Sequence, residues 1–174
     1  TASETVVLLH GLGLGGWAMQ RLATALTRDG YRVINLSYPS RSVPLETLAR
    51  DWLPAQLATH RTADAPRLHF VTHSMGGILV RTWLAERRRA GTPPPANLGR
   101  VVMIAPPNHG SAVAQKLENF PPFRWFTGIN GRRLEPHMAK PLFDAELQRN
   151  KDVYEADMPV SLVMTNALAT VYPC

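Results

Sequence analysis

Short apolar runs recur along the chain at Thr5–Leu9, Arg32–Leu36, Leu68–Thr72, Val101–Ala105 and Pro159–Thr165. Their length and β-branched content suit strands buried on both faces. Between them the apolar positions follow a helical period. Met19, Leu22 and Leu26 line one face, and Leu45, Leu48, Ala49 and Trp52 line another until Pro54, which lacks a backbone donor and is expected to interrupt the pattern. Strands alternating with helices predict an α/β fold, a mainly parallel sheet with helices on both faces. The breakers in Gly91-Thr92-Pro93-Pro94-Pro95-Ala96-Asn97 mark a loop. From about Asn108 to Asp157 the pattern weakens, with Pro121-Pro122, several aromatics and Arg132-Arg133 but no sustained period. An insertion of this kind after a strand reads as a lid or substrate-binding cap, or else as an irregular surface excursion.

A chain of 174 residues matches one domain of roughly 100–200 residues, so one active site is sought within 1–174. With 45% hydrophobic and 18% charged residues, a packed core is expected and disorder is not. The net charge of +6 is mostly arginine, densest at Arg87-Arg88-Arg89. Those cations fall at the expected end of a helix, where its dipole favours them, and read as a solvated face. Base-reading and stacking signatures are missing, so nucleic acid is not an expected partner. No run approaches the roughly 18 apolar residues of a membrane span, and Thr1-Ala2-Ser3-Glu4 lacks the basic and apolar regions of a secretory signal. A soluble chain is expected, cytoplasmic by default and secreted if a signal has already been removed; no feature supports peripheral membrane contact. The single cysteine, Cys174, allows no intrachain disulfide and no cysteine-based zinc site.

The densest chemical signal runs from Leu68 to Arg88. An apolar strand passes directly into His73-Ser74-Met75-Gly76-Gly77 and then into a helical stretch. A serine on so sharp a strand-to-helix turn needs small neighbours, because larger side chains would collide there. Gly76 fills one small position, whereas Thr72 stands where glycine is usual. At the head of a helix, backbone N–H groups point toward a developing oxyanion, and the Met75 amide would be one donor. The competing reading of Ser74 is an ordinary helix N-cap. A second donor is expected from the loop after the first strand. There His10-Gly11-Leu12-Gly13 follows Leu9 at once, and its glycines would let the Leu12 amide approach a substrate carbonyl.

As a pair, His10-Gly11-Leu12 and His73-Ser74-Met75-Gly76-Gly77 resemble the lipase and esterase branch of the α/β-hydrolase superfamily. Tyr31-Arg32-Val33-Ile34-Asn35-Leu36-Ser37-Tyr38-Pro39-Ser40 and Val101 through Ser111 are similar to the second strand and the post-elbow strand of bacterial lipase-like members. The resemblance covers about Thr5 to Phe126. It implies a carboxylic ester hydrolase acting on small-molecule or lipid-like esters, with Ser74 as nucleophile and Leu12 and Met75 as oxyanion-hole amides. No metal and no organic cofactor is implied. Within the resemblance, Asn108-His109-Gly110-Ser111 is a conformational element near the site.

Two features complicate that expectation. Gly11, Gly13 and Gly16 also match a dinucleotide-binding fingerprint, yet Asn35-Leu36-Ser37-Tyr38-Pro39 offers no carboxylate for a ribose. An oxidoreductase would also leave the Ser74 elbow unexplained. The second feature is the relay, which on this fold follows the chain order Ser, acid, His. The histidines after Ser74 are His109 and His137, with Glu86, Glu118 and Glu135 upstream of His137, while Asp144, Asp152 and Asp157 come too late. The acid and the histidine therefore stay unassigned. His10, His69 and His73 suggest no complete metal set, and His10 and His73 are expected to shape the oxyanion region. Met158 to Thr165 resembles the strand preceding the family's acid loop, which leads to the expectation that the C-terminal part of the fold is missing or altered. The competing class is a catalytically impaired binding or scaffold protein that keeps the elbow without the relay.

Overall fold

The computed structural model describes residues 3–106 and 128–130, together with the backbone of 160–163. Among the described residues, five strands form one parallel sheet: β1 (Thr5–Leu9), β2 (Arg32–Leu36), β3 (Leu68–His73), β4 (Leu98–Ile104) and β5 (Val160–Val163). Their spatial order is β2-β1-β3-β4-β5. All five runs expected from the sequence are thus strands, with β4 starting three residues earlier than expected.

Alternation along β1 builds two cores from one strand. Val7 and Leu9 join the larger cluster, while Val6 and Leu8 join the smaller. Met19, just before the helix α1 (Gln20–Arg28), and Ala23 with the partly buried Leu22 and Leu26 on it cover the smaller cluster. On the other face lie α2 (Leu45–Thr47), a π turn (Leu48–Trp52), α3 (Leu53–Thr59) and α4 (Met75–Arg89). They bury Leu48, Leu53, Leu57, Leu79 and Trp83 against Phe70, Val101 and Met103. Each such side chain contributes about 1.5–3 kcal/mol on full burial, so helices are held on both faces as the strand–helix alternation requires.

Pro54 does not end the helical run, contrary to expectation. The π turn directly precedes it, and α3 carries Pro54 in its first turn. A proline ring collides with the carbonyl four residues back in a regular helix. Widening the preceding turn moves that carbonyl away, and Leu53 and Leu57 continue the buried face. The loop at 91–97 is irregular as expected, and Arg87 donates to the Pro93 carbonyl at 2.7 Å. Arg87, Arg88 and Arg89 occupy the last turn of α4, where Arg89 pairs with Glu86. Among the described residues, no helix is long and apolar enough to cross a membrane. Of the weakly patterned stretch 108–157, only 128–130 falls among the described residues, as a single 3₁₀ turn.

Candidate active site

The direction in which successive strands are added across the sheet reverses between β1 and β3. These strands pair side by side, but β1 is followed by α1 leading to β2, and β3 by α4 leading to β4 on the opposite side. In open parallel sheets the crevice at such a switch point, outside the carboxyl ends of the strands, is where ligands bind. His10 and Gly11 leave β1 there, and Ser74 leaves β3.

Ser74 has φ 52° and ψ −121°, a backbone region that L-residues seldom occupy and that costs about 1–3 kcal/mol. Its N–H donates to the Ile104 carbonyl at 2.9 Å, and its carbonyl accepts from the Gly77 N–H at 3.0 Å. Both sides of the residue are thereby pinned in the strained turn. The Ser74 side chain makes no capping bond to α4, so the N-cap reading does not account for the hydroxyl. Gly76 is required by a close approach, since a Cβ there would lie 2.6 Å from the Leu9 carbonyl oxygen and 2.9 Å from that of His10. Thr72, in the place of the usual glycine, is accommodated inside β3. A Cβ on Gly77 would lie 3.2 Å from the Thr72 hydroxyl oxygen, so the second glycine faces Thr72 across the elbow.

The loop after β1 is held against this elbow. A Cβ on Gly11 would lie 2.8 Å from His73 Nδ1 and 3.2 Å from Ser74 Cβ, which places the Gly11 backbone, and the Leu12 amide after it, beside Ser74. The Leu14 N–H donates to the Gly11 carbonyl at 3.2 Å, and Gly13 has φ 71°. Residues 11–14 therefore form a turn with its third residue in the left-handed region, as a type II turn demands. The fully buried His10 fixes the first peptide of that turn. Its Nε2 receives the Tyr38 N–H at 3.1 Å, so that nitrogen carries no proton, and its Nδ1–H donates to the Gly11 carbonyl at 2.7 Å. The Tyr38 hydroxyl donates to the His10 carbonyl at 2.8 Å, and the two rings stack at 4.2 Å. With the Gly11 carbonyl pinned from two directions, the trans peptide aims the Leu12 N–H the opposite way.

Burial holds His10 below the ordinary histidine pKa, against the raising effect of its two backbone bonds, and burial does the same for His73. The folded state keeps neutral imidazoles, whereas the unfolded chain protonates near pH 6.5. Below that pH the unfolded state binds more protons, so stability is expected to fall as pH drops through about 6.5 and to level off below the folded values. The slope is at most about 1.4 kcal/mol per pH unit for each histidine. Urea midpoints measured from pH 8 to 5 check this, and a flat profile contradicts it.

The other sequence candidates separate. Met75 is the first residue of α4, where N–H groups have no intrahelical acceptor. His69 lies at the other end of β3, with Nε2 3.1 Å from Glu4 Oε2 and Nδ1 accepting from the Arg100 N–H at 2.9 Å. At about 3.3 Å per strand residue, that histidine–carboxylate pair is roughly 16 Å along the strand from Ser74. Glu86 is spent on Arg89. His109, His137, Glu118, Glu135, Asp144, Asp152 and Asp157 lie outside the described residues. The glycines of the dinucleotide pattern serve the turn at Gly13 and the packing at Gly11, and Asn35 Nδ2 closes the loop by donating to the Gly16 carbonyl at 2.8 Å. Tyr38, Ser40 and Asn130 were not singled out by sequence reasoning. The signal for Tyr38 was its position just past β2, level with His10 across the switch point.

Comparison with known proteins agrees with this fold. The model of the alpha/beta hydrolase family matches residues 6–172. A curated relative, "Probable esterase PIR7A" of Oryza sativa subsp. indica, is 33% identical over 78 residues, covering 41% of this chain and 30% of the relative's own length. The mature Bacillus licheniformis lipase BlEst2 superposes with a TM-score of 0.66 at 18% identity, covering 94% of this chain and 65% of that one. A monoacylglycerol lipase of Paleococcus ferrophilus gives a TM-score of 0.57 at 17% identity, covering 94% and 74%. At those identities the structural likeness concerns the fold. With a family match over nearly its whole length and the strand order, elbow and loop described above, the chain belongs to the α/β hydrolase family.

Proposed function

We propose that the protein is a serine esterase whose nucleophile is Ser74. The Ser74 Oγ attacks the carbonyl carbon of a carboxylic ester while a general base takes its proton. The carbonyl π electrons move onto oxygen, and the resulting oxyanion faces the Leu12 and Met75 N–H groups. Collapse expels the alcohol, which takes up the proton, and leaves an acyl-serine that water hydrolyses in a second, equivalent cycle. His10 is not the base, because both its ring nitrogens are engaged by backbone groups. The observation that carries this reading is a serine held at φ 52° on the switch-point crevice with its hydroxyl not spent on capping α4.

Small-molecule or lipid-like esters are the proposed substrates, consistent with the esterase and lipase names of the relatives. The stretch 108–157 is proposed to be the insertion of a single domain that shapes the acyl pocket. Neither step needs a metal or organic cofactor. The test is turnover of a short p-nitrophenyl ester by the wild type and by Ser74→Ala. Hydrolysis that disappears in the variant supports the reading. Hydrolysis that persists removes Ser74 from the mechanism, and its absence from both proteins favours a binding protein that has kept the elbow.

A further inference from the structure

The second peptide of the Gly11–Leu14 turn is fixed from a different part of the chain. The Gly13 N–H donates to Ser40 Oγ at 3.1 Å, and Ser40 is buried with 3% of its surface exposed. That single acceptor decides which way the peptide between Leu12 and Gly13 faces. Glycine has access to both the positive and the negative φ that distinguish the two common turn forms. An acceptor on the Ser40 side selects the form with Gly13 at φ 71°.

Ser40 is in turn held by the turn at Gly128–Asn130. The buried Asn130 Nδ2 donates to the Ser40 carbonyl at 2.8 Å and to the Val43 carbonyl at 2.7 Å, while its Oδ1 accepts from the Leu45 N–H at 3.1 Å. The Ile129 N–H adds a bond to the Arg41 carbonyl at 3.0 Å. Gly128 has φ 62°, and a Cβ there would meet the Arg41 carbonyl oxygen at 2.2 Å. This close seating leaves no room for another residue. Three bonds from one amide satisfy three backbone groups of the 40–45 loop, and the two buried bonds, to Ser40 and Leu45, satisfy groups that would each cost about 1–3 kcal/mol if left unpaired.

We propose that Asn130 and Ser40 are positioning residues for the oxyanion turn, so that docking of the 128–130 segment sets the peptide geometry next to the Leu12 amide. The path is Asn130 Nδ2 to the Ser40 carbonyl, then Ser40 Oγ to the Gly13 N–H. This rests on reading Gly11–Leu14 as the oxyanion loop. It goes further by coupling that loop to the stretch proposed as the insertion, through Asn130, 90 residues beyond Ser40 in the chain. Seating the segment would then order the turn, and releasing it would let the Gly13 peptide flip.

Amide hydrogen exchange followed by NMR tests the coupling without requiring catalysis. Gly13 exchange is expected to accelerate at least about tenfold in Ser40→Ala and in Asn130→Ala, and to return to within about threefold of wild type in Ser40→Thr, which keeps the hydroxyl. The Val7 amide in β1 serves as the unchanged reference. If Asn130→Ala fails to fold, Asn130→Ser takes its place. In the ester assay Ser40→Ala and Asn130→Ala are expected to lower kcat about tenfold with KM within twofold, since a misaimed donor loses only part of what a deleted one loses. Unchanged Gly13 exchange in the Asn130 variant, even with a lowered Tm, overturns the proposal and leaves Asn130 a structural staple. The exchange result stands whether or not the wild type turns over esters, so failure of the coupling and failure of the esterase reading are distinguishable.

Discussion

Replacing Ser74 by alanine is expected to reduce ester hydrolysis by about 10⁴-fold or more, because the loss of the nucleophile removes the covalent route and leaves only binding and oxyanion stabilisation. The same position should reveal its strain when alanine is compared with glycine. Both variants lack the hydroxyl, but only glycine occupies φ 52°, ψ −121° without a Cβ collision. Relief of about 1–3 kcal/mol is offset by the roughly 0.5–1 kcal/mol that glycine loses in unfolded-chain entropy. Ser74→Gly should therefore be about 1 kcal/mol more stable than Ser74→Ala, which for a chain of this size is a Tm difference of about 2–4 °C. Equal melting of the two inactive variants would show that the elbow is not strained. A serine kept where glycine is more stable is understood as stability given up for chemistry.

Gly76→Ala is expected to do large structural damage at the elbow for a single methyl group. The added Cβ would meet backbone oxygens of Leu9 and His10 at 2.6 and 2.9 Å, and neither atom is free to rotate away. Either α4 lifts from the sheet or the end of β1 moves. The cost is about 1–3 kcal/mol as overpacking, and the displaced end of β1 carries the Leu12 amide with it. A shift of about 1 Å in a catalytic group is worth about 100-fold in rate, so activity should fall by about that factor even in the folded fraction. Gly77→Ala is the control, because its new neighbours are the Thr72 and Met103 side chains at 3.2–3.4 Å. It gains the same helix propensity of about 1 kcal/mol against contacts that are able to relax, so its stability should stay near that of the wild type. Similar losses from the two substitutions, measured by urea unfolding and ester turnover, would contradict this account.

The sheet was legible because strands buried on both faces are short apolar runs bounded by breakers, and every such run became a strand. The elbow was legible because a sharp turn admits few residue types. Pro54 misled because the π turn that accommodates it has no composition of its own. Thr72 looked like a defect in isolation, and only the packing shows that Gly77 faces it. Tyr38, Ser40 and Asn130 act through backbone groups distant in sequence, and no spacing rule relates position 130 to position 40 or position 40 to position 13. Likewise, the bond that leaves His10 Nε2 without a proton depends on where Tyr38 lies after β2 crosses beside β1. Of the stretch 108–157, expected to be a lid or cap or else an irregular surface excursion, the described residues 128–130 contact the loop that supports the site.

Covalent labelling tests most directly the claim that the Ser74 hydroxyl is the reacting atom. The wild-type protein is incubated with a fluorophosphonate, digested and sequenced by tandem mass spectrometry. The predicted result is one phosphonyl adduct on Ser74, absent when Ser74→Ala is treated in the same way. An adduct on another residue, or equal labelling of the variant, would contradict the claim.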